Sequence, residues 1–155
     1  MTIDCDEKWM KLALEEARLA AKAGEVPIGA AAVLNGELIA RNHNRNIEMN
    51  DPTAHAEILV LREAGRLLGN YRLPGVEFYV TLEPCSMCAG ALVWARVKRL
   101  IFGPRDEKAG AVFSRLEVLQ PGRLNHTVSV TEGVLAAECR RLLQDFFQAR
   151  RSGQA

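Results

Sequence analysis

The chain has 155 residues, of which 48% are hydrophobic and 25% are charged, and its formal net charge is +1. This composition is typical of a globular protein, and we expect one domain spanning residues 1–155. A net charge so close to zero argues neither for nor against a polyanionic partner. No apolar run approaches the ~18 residues that a membrane span needs. The N-terminus lacks a basic start followed by an apolar core, so we expect neither a secretory signal nor membrane association.

The N-terminal part of the chain predicts a helix. Helical periodicity extends over residues 7–23, and Asp4 and Glu7 have the spacing of a capping box at its start. Gly24 follows the last periodic residue and is the predicted stop, because glycine readily adopts the left-handed conformation that ends helices.

A β-hairpin is predicted next. Apolar runs at residues 27–34 and 37–42 flank Asn35-Gly36. Asn-Gly is the strongest short hairpin signal, since both turn residues need positive φ. We expect residues 43–51 to form a polar loop.

Beyond Pro52, predicted helices and strands alternate. Thr53 is the predicted cap of a helix that extends to about Leu68. The following segments are, in order, a strand at 76–81, a helix at 85–96, strands at 97–102 and 126–130, and a final helix capped by Thr131. This alternation indicates an α/β protein, for which we expect a three-layer α/β/α sandwich with a mixed five-stranded sheet and helices on both faces.

Two short segments in mid-chain, residues 51–57 and 83–88, carry metal-ligating side chains. They supply one imidazole and two thiols, from His55, Cys85 and Cys88. Three protein ligands with a fourth position open are characteristic of a catalytic zinc site. We expect all three residues in first turns of helices, where the helix dipole favours thiolates.

A carboxylate, Glu57, lies two residues after His55. It is too close in sequence to be a comfortable fourth ligand, and its better use is as a proton carrier. Zinc lowers the pKa of bound water, and a neighbouring carboxylate can move that proton to a ring nitrogen and help an amine to leave. The residues therefore predict hydrolytic deamination.

Other interpretations of these residues compete with this one. A Cys-x-x-Cys pair alone also fits a thiol redox site. A closed structural zinc site would need a fourth Cys or His, and neither His43 nor His126 has a usual spacing. A non-enzymatic zinc module that only binds nucleic acid would have no need of Glu57.

The pattern H-x-E followed by P-C-x-x-C is the zinc nucleobase deaminase signature. Further segments between about Trp9 and Arg151 resemble the bacterial tRNA-specific adenosine deaminase family. They include residues 70–73 (NYRL), 79–85 (YVTLEPC), 87–91 (MCAGA) and 145–147 (DFF).

This resemblance implies a cytidine deaminase-like fold and a cytoplasmic homodimer that converts the wobble adenosine of a tRNA anticodon loop to inosine. One Zn²⁺ per chain would be held by His55, Cys85 and Cys88. Zinc-bound hydroxide would attack C6 with Glu57 as proton shuttle, and ammonia would be released.

The resemblance also implies contacts with the tRNA anticodon stem-loop. Asn44 would hydrogen-bond the flipped base, and Asp106 would touch a neighbouring ribose. Phe147, Arg150 and Arg151 would meet the loop from the last helix. Pro104, beside Asp106, stands where the family commonly has a small residue.

The main alternative function is a small-molecule guanine or cytosine deaminase, because such enzymes share a similar zinc signature. The match over residues 70–73 and the Arg-rich C-terminal helix favour the RNA enzyme. Basic clusters could supply phosphate contacts, but acidic residues interrupt them, so charge alone does not establish RNA binding.

Overall fold

A computed structural model describes residues 3–153. Within that range, helices and strands alternate along most of the chain. In chain order they are α1 (Ile3–Lys22), β1 (Gly29–Leu34), β2 (Glu37–His43), α2 (Asn46–Met49), α3 (Ala56–Leu68), β3 (Glu77–Val80), α4 (Ser86–Trp94), β4 (Arg99–Phe102), β5 (Ser129–Thr131) and α5 (Ala136–Arg151).

The five strands form one mixed sheet in the order β2-β1-β3-β4-β5. Strand β1 is antiparallel to both β2 and β3, whereas β3, β4 and β5 are parallel to one another. The predicted mixed five-stranded sheet is confirmed. The hairpin turn is also confirmed, because Asn35 and Gly36 have φ values of 51° and 77°.

Helices cover both faces of the sheet, as predicted. Successive side chains of a strand point to opposite faces. Ala30 and Ala32 of β1 therefore pack in the cluster that contains residues of α3 and α4, while Ala31 and Val33 pack with residues of α1 and α5. The two hydrophobic cores lie on either side of one central strand.

The predicted start of the first helix is wrong. The helix already includes Ile3, so Asp4 and Glu7 lie inside it and do not form its capping box. No Gly or Pro interrupts residues 3–6, and the helix can extend through them. The predicted stop is confirmed, because Gly24 follows the helix with φ of 80°.

Two predicted N-caps are also wrong, because their hydroxyl groups have other partners. Thr53 donates from its N–H and Oγ1 to Asp51 Oδ1, at 2.8 and 2.7 Å, within a turn before α3. Thr131 ends β5 and accepts a bond from Arg99 at 3.0 Å. Helix α5 begins only after Leu135, whose φ is 52°.

The loop predicted at residues 43–51 contains the short helix α2, and the last strand is shifted from its predicted position. Strand β5 covers Ser129–Thr131, whereas the prediction was 126–130. His126 lies before the strand, where Nε2 bonds the carbonyl oxygen of Val97 at 2.8 Å. Among residues 3–153, no helix is both long and apolar enough to cross a membrane.

A buried ion pair joins α1 to the amino-terminal ends of the central strands. Arg99 donates to both carboxylate oxygens of Asp6 and to Glu77, and Tyr79 also donates to Asp6. Burial alone would raise the pKa of Asp6, but bonds from Arg99 and Tyr79 and the Arg99 charge lower it below its ordinary value. Asp6 therefore stabilises the fold as a carboxylate.

Replacing Asp6 with Ala should lower the free energy of unfolding by about 3 kcal/mol, because it leaves the Arg99 guanidinium buried without its main partner. Urea unfolding followed by circular dichroism measures this change. The matched control is Glu63→Ala, which breaks the exposed pair with Arg66 and should cost about 0.5 kcal/mol or less. Equal losses in the two variants would contradict the role assigned to Asp6.

Candidate metal centre

Two helix starts bring the predicted metal ligands together. His55 is the N-cap residue of α3, and Cys85 is the N-cap residue of α4. Cys88 lies in the first turn of α4, as predicted. His55 and Cys85 were expected inside first turns, but both have extended backbone conformations immediately before their helices.

The three side chains converge at distances that fit a single ion. The Nδ1 atom of His55 lies 3.6 Å from Cys85 Sγ and 3.5 Å from Cys88 Sγ. All three donor atoms lie within 4.8 Å of one another. Tetrahedral zinc with ordinary Zn–S and Zn–N distances requires a nitrogen–sulfur separation of about 3.6 Å. The donor set and its spacing therefore fit zinc.

The pKa values of the three side chains are shifted in different directions. The hydrogen bond from Cys88 lowers the pKa of Cys85 to about 4, and the same bond, together with burial, raises the pKa of Cys88. Hydrogen bonding to Cys85 also raises the pKa of His55. Cys85 therefore favours the thiolate form, which is the form of cysteine that binds a divalent cation.

Glu57 lies in the first turn of α3, with 4% of its surface exposed. Burial raises the pKa of its carboxyl group to about 7. A carboxyl group with a pKa near neutrality can both accept and return a proton, which suits acid–base chemistry beside the metal ligands.

Asn44 is buried and is bonded directly to the helix that follows His55. Its Oδ1 accepts the N–H of Ala56 at 2.8 Å, and this bond caps α3 in place of a side chain from the N-cap residue. The backbone N–H of Asn44 donates to the carbonyl oxygen of Ile28. The side chain is thereby oriented, and its amide nitrogen is the group that it can offer to a ligand.

Two buried carboxylates that accept several backbone N–H groups were missed by the sequence analysis. Glu25 accepts the N–H groups of Ile47 and Glu48, at 3.0 and 2.8 Å, and so caps α2 from a distant part of the chain. Glu83 bonds the loop that follows β4. Each carboxylate accepts bonds from residues that lie more than 20 positions away in the sequence. No local pattern in the sequence could have predicted these bonds, because the partners lie far apart along the chain.

A separate cleft of about 930 Å³ contains three of the five residues for which RNA contacts were expected. Asp106 lines the cleft from the loop after β4, while Phe147 and Arg151 line it from α5. Arg105, Lys108 and Arg140 also line the cleft, together with acidic side chains. The cleft combines an exposed aromatic ring with cationic groups.

The other two residues lie elsewhere. Asn44 is beside the metal ligands, as described above. Arg150 donates to the carbonyl oxygen of Gly24, and its guanidinium lies 4.5 Å from the centre of the Phe146 ring. These contacts connect the end of α5 to the turn between α1 and β1.

Comparison with known proteins gives consistent matches over almost the whole chain. The family model of MafB19-like deaminases matches residues 5–151. The tRNA-specific adenosine deaminase of Haemophilus influenzae is 50% identical over 147 residues, which cover 94% of this chain and 85% of that protein. The enzyme of the same name from Bacillus subtilis is 49% identical, with 94% and 91% covered.

Solved structures of deaminases are also similar to this chain. One, from a study of A-to-I editing by tRNA:A34 deaminases at the wobble position of transfer RNA, has a TM-score of 0.85 and 49% identity, covering 88% of this chain and 99% of that one. A guanine deaminase from Nitrosomonas europaea has a TM-score of 0.75 and 29% identity, covering 90% and 83%.

Purified protein should contain about one zinc ion per chain, and Cys85→Ala should lose it because only two of the three donors remain. Metal analysis together with thiol titration measures both quantities. In the unchanged protein, the Cys85 and Cys88 thiols should react only after a chelator is added. Cys5→Ser is the control and should keep the zinc. Full zinc content in Cys85→Ala would contradict the assignment.

Proposed function

The chain belongs to the MafB19-like deaminase family and groups with the tRNA-specific adenosine deaminases, and we propose that it converts the wobble adenosine of a tRNA anticodon to inosine. Water supplies the oxygen that becomes bonded to C6, the bond between C6 and the exocyclic nitrogen breaks, and ammonia is released. The observation that carries this proposal is the identity of about one half with such enzymes over nearly the whole chain.

We propose that His55, Cys85 and Cys88 hold one zinc ion per chain. One imidazole and two thiolates at the observed spacing support this choice of metal. Zinc bound there would act as a Lewis acid that makes a water molecule easier to deprotonate.

Glu57 is the proposed proton shuttle. Its carboxylate takes a proton from the attacking water, delivers it to a ring nitrogen, and later helps the amino group to leave as ammonia. Burial supports this role, since it raises the pKa of Glu57 to about 7 and keeps bulk water from competing for the proton.

Asn44 is the proposed contact to the flipped base. The bond from Ala56 to Oδ1 holds the side chain, so that the amide nitrogen can donate to an acceptor on the base. Because Ala56 follows His55 directly, the same bond couples the position of the base contact to that of a metal ligand.

We propose that the cleft lined by Asp106, Phe147 and Arg151 receives nucleotides of the anticodon stem-loop. Phe147 is 42% exposed and can stack on an unpaired base. Arg151 supplies positive charge for phosphate groups. Arg150 is proposed to contact the same RNA from the end of α5, where it also holds the turn at Gly24.

The active form is proposed to be a homodimer in the cytoplasm, with residues 1–155 of each chain as a single domain. An apolar groove between α3 and α4 supports self-association. Tyr71 and Trp94, which are 75% and 73% exposed, both line it. Aromatic side chains exposed to this extent at a groove are typical of protein interfaces.

Guanine deamination is the second candidate, because the Nitrosomonas europaea guanine deaminase shares this fold at 29% identity. The deciding experiment incubates the protein separately with anticodon stem-loop RNA, guanine and cytosine. We expect inosine in the RNA and little turnover of the free bases. Turnover of guanine or cytosine without inosine formation in the RNA would overturn the proposed function.

In the same assay, Glu57→Gln should reduce inosine formation by about 10³-fold or more, because the amide cannot shuttle a proton. It should keep its zinc, since Glu57 is not a ligand in this arrangement. The control is Glu48→Gln, which alters a carboxylate on α2 whose side chain is 54% exposed and should leave the rate unchanged. Full activity of Glu57→Gln would show that another group moves the proton.

Trp94→Glu should convert the dimer into monomers, because it places a charge on the proposed apolar interface. Sedimentation equilibrium at micromolar concentration measures the change. Leu19→Glu alters an exposed apolar residue on α1 and should leave the dimer intact. A dimer that persists in Trp94→Glu would exclude this surface.

A further inference from the structure

Glu83 is a buried carboxylate, 2% exposed, that no step described above uses. Its Oε2 atom accepts three backbone N–H groups in a row, from Val112, Phe113 and Ser114, at 3.0, 2.7 and 3.0 Å. Its Oε1 atom accepts the N–H of Asp106 at 2.9 Å and the hydroxyl of Ser114. Five donors therefore converge on one side chain.

The loop is closely packed around this carboxylate. A Cβ atom added to Gly110 would lie 2.3 Å from the carboxyl carbon of Glu83, so the loop can approach only with glycine at that position. Backbone bonds extend the contact, since Glu83 N donates to Pro104 O at 3.1 Å and Ala111 N donates to Pro84 O at 2.8 Å.

Regular secondary structure does not hold this loop. The described residues 103–128, between β4 and β5, contain no helix or strand. Their backbone N–H groups must therefore find other acceptors when they are buried. Glu83 supplies the acceptor for four of them, and bonds to a charged acceptor are stronger than neutral ones.

The residues that Glu83 fixes also shape the cleft. Asp106 lies in it, with its Oδ1 atom accepting the N–H groups of Lys108 and Ala109 at 3.0 and 3.3 Å. The Arg105 guanidinium lies 4.6 Å from the centre of the Phe113 ring and also bonds Glu132. The positions of Asp106 and Arg105 therefore both depend on atoms that Glu83 holds.

We propose that Glu83 is a positioning residue for the RNA substrate, which holds the loop at residues 106–114 in the shape that presents Arg105 and Asp106 to the anticodon loop. Glu83 stands two residues before Cys85, so one short segment sets both the metal ligand and the RNA-contacting loop. The inference rests on the proposed RNA substrate and adds a residue to its recognition.

Glu83→Gln tests this role with little change of shape. One carboxylate oxygen becomes an NH₂ group, which faces at least two donors and cannot accept from them. With anticodon stem-loop RNA, KM should rise by about tenfold or more, because the loop must be ordered on binding. The kcat value at saturating RNA should stay within about threefold, and the zinc content should be unchanged.

The matched control is Asp6→Asn. It alters another buried carboxylate, which lies in α1 and bonds Arg99 at the amino-terminal end of β4. A loss of folded protein lowers the active fraction and leaves KM unchanged, so the control should show an unaltered KM. If Glu83→Gln also kept the KM of the unchanged protein, Glu83 would be only a structural residue and the proposal would be overturned.

Ser114→Ala provides a second variant if Glu83→Gln fails to fold. It removes one bond to Oε1 and should raise KM by about twofold to fivefold. In parallel, amide hydrogen exchange should be faster at residues 106 and 112–114 and unchanged in α4. Unaltered KM and unaltered exchange in Ser114→Ala would contradict the proposal. Failure of the unchanged protein to form inosine would instead refute the proposed function.

Discussion

The convergence of an imidazole and two thiols at the starts of two helices is the constraint on which the rest of the site depends. His55 precedes α3, and Cys85 precedes α4, which follows the central strand β3. Their donor atoms can approach one another only if both helices begin at the correct residue. The bond from Ala56 to Asn44 sets the first of these starts. Pairing of β3 with β1 and β4 positions the second. The ends of the strands therefore set the geometry of the candidate metal site.

Two buried carboxylates hold the short helix α2 and the loop after β4 in place. Glu25 caps the short helix α2, and Glu83 holds the loop after β4. Each accepts several backbone N–H groups that would otherwise be buried without partners, which is costly. Both bond segments far away in sequence, so they connect loops that local interactions would not order. A carboxylate is well suited to this role, because its two oxygens can accept more bonds than any neutral side chain.

The mixed sheet, the hairpin and the convergence of His55, Cys85 and Cys88 were predictable from the sequence, because each leaves a local pattern. Asn35-Gly36 needs positive φ, and the Cys-x-x-Cys spacing brings two sulfurs close together at the start of one helix. The starts of α3 and α5 were not predictable, since Thr53 and Thr131 have the side chains of good N-caps but bond Asp51 and Arg99 instead. The contacts of Glu25 and Glu83 were missed for the same reason. Their partners are set by tertiary packing, which leaves no periodic signal in the sequence.

We propose that one zinc ion is bound by two sulfurs and one nitrogen, with a further position open to water. X-ray absorption at the zinc edge of the purified protein tests it most directly, because the spectrum counts sulfur and lighter donors separately. We expect two sulfur atoms at about 2.3 Å and two lighter donors at about 2.0 Å, with one of the lighter donors exchangeable. A shell of four sulfurs, or a shell without sulfur, would contradict it.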